Sequence, residues 1–162
     1  MEKRDNLMDN NNKKPETFQF IVAKLGGEQY GINIKYIDNI VRMERITRVP
    51  KSQPYFKGII NLRGEVIPVM SLRLKFGLPD DEITNATRIV IVKLEGADSS
   101  VGILVDAVKE VITLSTDNID SKAGAGEMAK YLMGVGQNGD TLVTLLNLPN
   151  VIIEKKDSDD EK

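Results

Sequence analysis

The feature that most constrains the fold is an internal repeat made of short segments rich in Val, Ile and Leu. Three blocks of the first half recur in the same order in the second half, at separations of 69, 71 and 76 positions. The repeat pairs residues 20–25 with 89–94, 30–43 with 101–114, and 55–72 with 131–148. Because collinear matches with slowly growing separations rarely arise by chance, the chain is predicted to contain the same architecture twice.

The apolar segments have the length and composition of β-strands, and turn residues such as Gly-Gly, Arg-Gly and Asn-Gly separate them. Strands are predicted at Phe18–Leu25, Gln29–Ile34, Asn39–Arg45, Gly58–Leu62, Glu65–Met70, Arg88–Glu95, Ser100–Val105, Val108–Ser115, Gly134–Gly136 and Thr141–Leu146. Asn138-Gly139 is a strong hairpin signal, and Glu127–Met133 is predicted to form one short helix.

About five strands in each half cannot bury an open, one-sided sheet well, whereas a small barrel buries its interior and removes exposed edges. The predicted fold class is therefore all-β with short helices, as two pseudo-repeated five-stranded β-barrels packed side by side. The first barrel is expected at about residues 17–83 and the second at about 84–153. Exchange of a terminal strand between them is left open.

The ends of the chain differ in composition from the repeat. Residues 1–16 and 154–162 are polar and charged, so they are predicted to be flexible tails around a domain at 17–153. The segment 1–16 lacks the apolar stretch of a signal peptide. No apolar run approaches the ~18 residues of a membrane span. These features predict a cytoplasmic protein without direct membrane insertion.

Composition narrows the possible chemistry. The 162 residues include no Cys and no His, which excludes disulfides, thiolate nucleophiles, Ser–His–Asp triads and zinc sites with imidazole or thiolate ligands. Carboxylate-only or lysine-based catalysis remains a formal option, but the chain is predicted not to be an enzyme. The net charge of −2 provides no basic footprint, so no nucleic-acid partner is expected.

Three polar segments resemble binding motifs only superficially. Ala123–Gly126 is glycine-rich but lacks the Lys and Ser/Thr of a phosphate loop, so it is interpreted as a connector. Asp80–Glu82 lacks the ligand spacing and turn glycine of a metal loop, and a solvated loop is expected. Asp117 and Asp120 have no neighbouring base or nucleophile. No metal and no cofactor are predicted.

Arg63 and a set of four apolar residues can each be interpreted either as ordinary structural residues or as parts of a binding site. Arg63 precedes Gly64 between two predicted strands, which places it at a hairpin tip as a solvated side chain or a partner contact. Periodicity alone does not decide whether the apolar residues of the repeat lie in a core or at the seam between the barrels. The residues in question are Ile34, Ile37, Ile40 and Val108.

The motifs around Arg63 resemble those of a known family, the CheW-like domain. Val49-Pro50, Gly58–Gly64 (GIINLRG) and Val66–Arg73 (VIPVMSLR) match the first part of its pattern. Val101–Val108 is similar to its Val-Gly-x-x-Val-Asp-x-Val segment. The likeness extends from about residue 18 to 153, with no receiver, kinase or phosphotransfer domain, as in stand-alone members.

This resemblance implies two intertwined SH3-like barrels in an adaptor that joins chemoreceptors, the methyl-accepting chemotaxis proteins, to the histidine kinase CheA. It implies a hydrophobic groove between the barrels for the hairpin tip of the receptor, and other surfaces for the regulatory domain of the kinase. The adaptor would be cytoplasmic and recruited to membrane-associated receptor arrays. The resemblance does not identify which residues bind the kinase.

Matched by motif position, the groove would be lined by Ile21, Ile34, Ile37, Ile40 and Val108. Arg63 would be a polar anchor near it. Asn39 belongs to the same set but stands where many members have Glu, and Ser71 stands where Asp is common. Two alternatives remain: a CheW-like scaffold of another histidine-kinase pathway, and a small-molecule-binding β-barrel, which requires a cavity inside a barrel.

Overall fold

The computed structural model describes residues 16–121 and 126–153, which form eleven strands. The strands are β1 (Thr17–Leu25), β2 (Glu28–Asn33), β3 (Ile37–Arg42), β4 (Phe56–Leu62), β5 (Glu65–Ser71), β6 (Arg88–Val92), β7 (Val101–Val105), β8 (Ala107–Ser115), β9 (Ile119–Asp120), β10 (Leu132–Asn138) and β11 (Thr141–Leu146). Two short helices are α1 (Leu72–Lys75) and α2 (Leu148–Ile152). 3₁₀ turns span Ile34–Tyr36, Thr116–Asn118 and Gly126–Tyr131.

All ten predicted strands are present, with ends shifted by a few residues. The predicted helix at Glu127–Met133 is instead a 3₁₀ turn that ends at Tyr131, because β10 already begins at Leu132. The sequence missed β9, α1 and α2, each too short to show a period. Residues 1–15, 122–125 and 154–162, with most of the two predicted tails and of the Ala123–Gly126 connector, lie outside the described residues.

The strands form two sheets whose orders reproduce the sequence repeat. One sheet has the order β8-β1-β2-β11-β10-β9, and the other has the order β3-β6-β7-β5-β4. Replacing each strand of the second sheet by its repeat partner gives the first sheet, with β9 added at the edge. The two halves of the chain therefore share one architecture, as predicted.

Strand pairing crosses the midpoint of the chain. The strands β1 and β2 pair with β8 and β11, while β6 and β7 pair with β3 and β5. The exchange thus involves two strands of each half, which is more than the terminal strand considered for barrels at 17–83 and 84–153. The single residue Asp106 links β7 to β8, and this link is too short for a hairpin within one sheet.

One barrel is consequently continuous in sequence and the other is not. The contiguous barrel consists of β3–β7, within residues 37–105, and the split barrel consists of β1, β2 and β8–β11. Each barrel closes through the segment that follows β3 or β8: Thr47 pairs with Ile59, and β9 pairs with β10. Gly58 and Gly134 have φ of 141° and 151° at these closures. A Cβ there would collide with the carbonyl oxygens of Thr47 and Asp120, so the repeat retains glycine.

Three cores hold the molecule together. The split barrel encloses Phe20, Val22, Ile112, Leu114, Val143 and Leu145. The contiguous barrel encloses Ile60, Ile67, Val69, Ile89, Ile91 and Leu104. A central core fills the seam between the barrels and contains Ala23, Leu25, Tyr30, Ile32, Met70, Leu72, Val90, Val92, Ile103, Val105, Leu146, Leu148 and Val151. Because β1 and β6 face a barrel interior on one side and the central core on the other, each contains an uninterrupted apolar run, 20–23 in β1 and 89–92 in β6.

Candidate functional site

The candidate site lies where the seam-facing sides of both barrels reach the surface. Residues directly opposite each other in an antiparallel pair project from the same face of the sheet. On the split barrel, Val108 lies opposite Ala23, and Val111 lies opposite Ile21. Since Ala23 belongs to the central core, Val108 shares its seam-facing side, and Val111 and Ile21 follow on the same face.

The contiguous barrel repeats this arrangement. Ile37 lies opposite Val92, and Ile40 lies opposite Val90, where both partners belong to the central core. In the repeat, Ile37 corresponds to Val108 and Ile40 to Val111, each 71 positions later. Both strands also carry an irregularity in register at the same place. The two walls are therefore pseudo-twofold copies of each other.

Burial shows that these side chains are neither wholly core nor wholly free. Ile37, Ile40 and Val108 are half-buried and pack against the central core. Ile21 is 8% exposed, whereas Val111 is 51% exposed. We call the five residues Ile21, Ile37, Ile40, Val108 and Val111 the seam surface. Val111 was not predicted, although its alignment with Ile40 in the repeat was the signal for it.

Ile34 extends the wall of the split barrel. It lies in the 3₁₀ turn between β2 and β3 and is half-buried. Together with Gln19 and Thr113 it lines a shallow depression, and these two residues lie opposite each other one step beyond the Ile21–Val111 pair on the same face. The structure thus places Ile34 next to the seam surface.

Two predicted site residues lie elsewhere. Asn39 is opposite Ile91, a residue of the contiguous barrel's interior, so Asn39 is on the other face of β3 from Ile37 and Ile40. Its Oδ1 accepts a hydrogen bond of 2.8 Å from the backbone N–H of Ile40. Arg63 is exposed at the tip of the β4–β5 hairpin, as predicted, with φ of 53° followed by Gly64 at 85°.

An ion pair between Arg73 and Asp106, here called the ionic clasp, joins the two barrels. Asp106 lies two residues before Val108 in the sequence. The Arg73 side chain, on α1 of the contiguous barrel, donates through Nε and Nη2 to both carboxylate oxygens of Asp106, at 2.8 and 2.6 Å. The backbone N–H of Gly26, in the β1–β2 turn of the split barrel, donates to the same carboxylate at 2.8 Å. The hydrogen bonds from Arg73 lower the pKa of Asp106, and the hydrogen bond to Asp106 raises the pKa of Arg73.

The profile of one protein family matches most of this chain: the CheW-like domain, over residues 19–156. The chain belongs to the CheW-like family. A chemotaxis protein CheW from Bacillus subtilis is 36% identical over 142 residues, which cover 86% of this chain and 89% of that protein. A chemotaxis protein CheW from Helicobacter pylori is also 36% identical, over 88% of this chain and 84% of its own length.

A solved structure of the CheW-like family supports the same assignment. The scaffolding protein TtCheW from Thermoanaerobacter tengcongensis superposes with a TM-score of 0.78 at 29% sequence identity. The match covers 88% of this chain and 95% of that one. Two SH3-like β-barrels and a scaffolding role in chemotaxis signalling are therefore assigned to this chain.

One departure from the CheW-like pattern has a structural explanation. The buried Ser71 caps α1 by accepting a hydrogen bond from the backbone N–H of Leu74. Its hydroxyl donates to Oδ2 of Asp81 at 2.5 Å. Burial raises the pKa of Asp81, whereas a hydrogen bond from Lys57 lowers the pKa of the neighbouring Asp80. Asp81 therefore occupies the space that the longer side chain of an Asp at position 71 would need.

The described residues give no support to metal binding or to a small-molecule site inside a barrel. Within residues 16–121 and 126–153, no group of three acidic side chains is arranged to hold a metal ion. The interiors of both barrels are filled by their own core side chains. In the same part of the chain, no helix is long and apolar enough to cross a membrane.

Proposed function

We propose that this protein couples chemoreceptors to the histidine kinase CheA by binding both, without catalysing a reaction itself. The seam surface binds the tip of the receptor's helical hairpin, and other surfaces bind the regulatory domain of the kinase. The observation that carries this proposal is a pair of apolar walls, one from each barrel, that share one core and remain partly exposed. Binding to receptors would recruit the protein to membrane-associated arrays.

The seam surface suits an apolar helix for two reasons. A helix presents apolar side chains every three or four residues, and a groove with walls on two sides covers such a stripe. Ile37, Ile40 and Val108 are held in place by packing against the central core, so little side-chain freedom is lost on binding. Arg63 would add a polar contact from its hairpin tip.

An adaptor of this kind acts by geometry. The receptor influences the kinase only if its two signalling states bind the adaptor with different free energies. Linking several weak contacts within an array raises the effective concentration of each partner, so no single interface has to be tight. The absence of His and Cys from the sequence is consistent with a role that needs binding surfaces rather than a catalytic group.

Val111 offers the cleanest test, because an Asp at a 51% exposed position remains hydrated in the free protein. In the variant Val111→Asp, docking of an apolar hairpin must desolvate the carboxylate, and affinity for a receptor hairpin fragment should fall at least about tenfold. CheA binding and the melting temperature should stay close to wild type. The matched control is Leu142→Asp on β11, which is 62% exposed and two strands away from β1 in the sheet. It should leave receptor affinity and the melting temperature unchanged.

Arg63→Ala completes the test by removing the proposed polar anchor. An exposed Arg at a turn contributes less than ~0.5 kcal/mol to folding, so weaker receptor binding at unchanged stability is expected. Equal receptor binding by wild type, Val111→Asp and Arg63→Ala would contradict the assigned surface. Wild-type binding to CheA without binding to any receptor fragment would instead favour a scaffold of another histidine-kinase pathway.

A further inference from the structure

Two arginines face each other on the seam-facing side of the contiguous barrel. Arg42 on β3 lies directly opposite Arg88 on β6. Arg42 follows Ile40 by two residues, and Arg88 precedes Val90 by two residues on the antiparallel strand. Side chains two residues apart share a face of a strand. The two arginines therefore lie at one end of the seam surface, next to Ile40 along β3.

This placement is unfavourable for folding alone, because like charges directly opposite each other on paired strands repel. The Arg88 side chain is also restrained, since its Nη1 donates to the carbonyl oxygens of Asn85 at 2.9 Å and Thr87 at 2.8 Å. Arg42 is exposed. Within the described part of the chain, neither arginine forms an ion pair with a carboxylate.

The repeat provides an internal control for what the fold requires at these positions. Arg88 corresponds to Gln19, 69 positions earlier, and Arg42 corresponds to Thr113, 71 positions later. Gln19 and Thr113 form the equivalent opposed pair on β1 and β8 of the split barrel. Since an uncharged pair completes the same architecture there, the two positive charges are not a requirement of the barrel.

We propose that Arg42 and Arg88 together bind a carboxylate of the docked receptor hairpin, and so select hairpins that carry an acidic side chain at one end of the apolar stripe. A guanidinium pair suits this ligand because each group can donate two parallel hydrogen bonds to a carboxylate. An anion between the arginines also offsets their repulsion. The inference deepens the proposed function and rests on it.

The arginine pair would determine the orientation in which the receptor hairpin docks. Apolar walls related by a pseudo-twofold offer a helical hairpin two nearly equivalent ways to dock, related by rotation about that axis. The arginine pair is present at the contiguous barrel and replaced by Gln19 and Thr113 at the split barrel, so it distinguishes the two ways. An acidic residue at one end of the hairpin then docks in a single orientation.

The test measures the affinity of Arg42→Gln and Arg42→Glu for a receptor hairpin fragment and for CheA at low and high salt, together with the melting temperature. We expect receptor affinity to fall about tenfold at low salt and less at high salt. CheA affinity should be unchanged. The melting temperature should stay the same or rise because the repulsion is relieved, and it should rise most in Arg42→Glu, where the new carboxylate faces Arg88. Arg88→Lys, which keeps the charge but not the planar fork, should show a smaller loss.

The matched control is Arg45→Gln, an exposed arginine outside the strands, which should bind like wild type. If the melting temperature and the receptor affinity both fall, Arg42 is a structural residue and the inference is overturned. Unchanged receptor affinity, a loss that is independent of salt, or a loss of CheA binding instead would overturn it as well. A wild-type protein that binds no receptor fragment would refute the proposed function itself, which separates the two failures.

Discussion

Ser71 shows how a single residue can depart from a family pattern without disturbing the fold. In this chain the cap of α1 is a hydroxyl that accepts from Leu74 and donates to the nearly buried Asp81. Oδ1 of Asp81 is buried and has no hydrogen-bond partner among the described residues. Lys57 is 4.0 Å from the other oxygen of this carboxylate. The site therefore accommodates one acidic side chain, which the loop after α1 already supplies.

Restoring the Asp that is common in the family should therefore destabilise this particular chain. In Ser71→Asp, two carboxylates would share a buried site with one nearby ammonium group, and the free energy of unfolding should fall by about 2–4 kcal/mol at neutral pH. Adding Asp81→Asn should recover most of the loss, because an amide can donate to the new carboxylate. Urea unfolding of the two single variants and the double variant measures this coupling. A Ser71→Asp protein as stable as wild type would contradict the explanation.

At the scale of elements, the four-residue helix α1 connects the barrels more than its length suggests. Arg73 forms the clasp with Asp106, and the ring of Phe76, just after the helix, lies 5.6 Å from Tyr30 and 5.5 Å from Tyr131 between centroids. Nζ of Lys75 lies 5.6 Å from the centroid of the Tyr131 ring. Tyr30, Tyr131 and Asp106 all belong to the split barrel or its links, so α1 fixes one barrel against the other.

The clasp leads to a prediction about pH. Asp106→Asn should lower the free energy of unfolding by about 1–2 kcal/mol at neutral pH, since a charge-assisted pair is lost from a partly solvent-screened site. Because the folded-state pKa of Asp106 lies below the ordinary 3.8, its stabilisation is complete above about pH 4 and is lost as pH falls through the folded-state pKa. The difference between wild type and variant should therefore shrink below about pH 4.

Denaturant unfolding between neutral pH and pH 2 measures this difference, with Asp80→Asn as the control. Asp80 also pairs with a cation, Lys57, at 2.9 Å, but its side chain is 63% exposed and the pair does not cross the seam. Its removal should change stability by less than ~0.5 kcal/mol. A gap between wild type and Asp106→Asn that persists unchanged at acid pH would show that the clasp is not ionic in origin.

For the whole molecule, the repeat was enough to predict two barrels, because matching blocks specify matching strands in matching order. It did not predict the pairing partners: β3 and β8 are repeat copies, so local sequence gives β1 no preference between them. The one-residue link at Asp106 decides the pairing, and link length is a signal that a repeat alignment ignores. For the site, the resemblance supplied four residues of the seam surface, and the repeat alignment of Val111 with Ile40 would have supplied the fifth. Only the strand register shows that Asn39 lies on the other face of β3.

The exchange of strands predicts that the two halves of the chain depend on each other. Fragments 1–83 and 84–162 should each lack a stable sheet, because the β1–β2 and β6–β7 hairpins find their outer sheet neighbours only in the other fragment. Mixed in equal amounts, they should regain the β-sheet circular dichroism and receptor binding of the intact protein. A fragment containing residues 37–105, which holds every strand of the contiguous barrel, serves as the comparison. Independent folding of either half would refute the dependence.

The nesting of one barrel within the other also determines the order in which the molecule becomes complete during synthesis. A ribosome makes β1 and β2 before the contiguous barrel, whereas their neighbours β8 and β11 are made only after it. By the time Val105 has been added, the contiguous barrel has all five of its strands, whereas the opening hairpin still exposes both of its apolar faces. The nascent chain thus contains every strand of the contiguous barrel while its first hairpin still lacks outer neighbours and is prone to aggregate, until β8–β11 have been made.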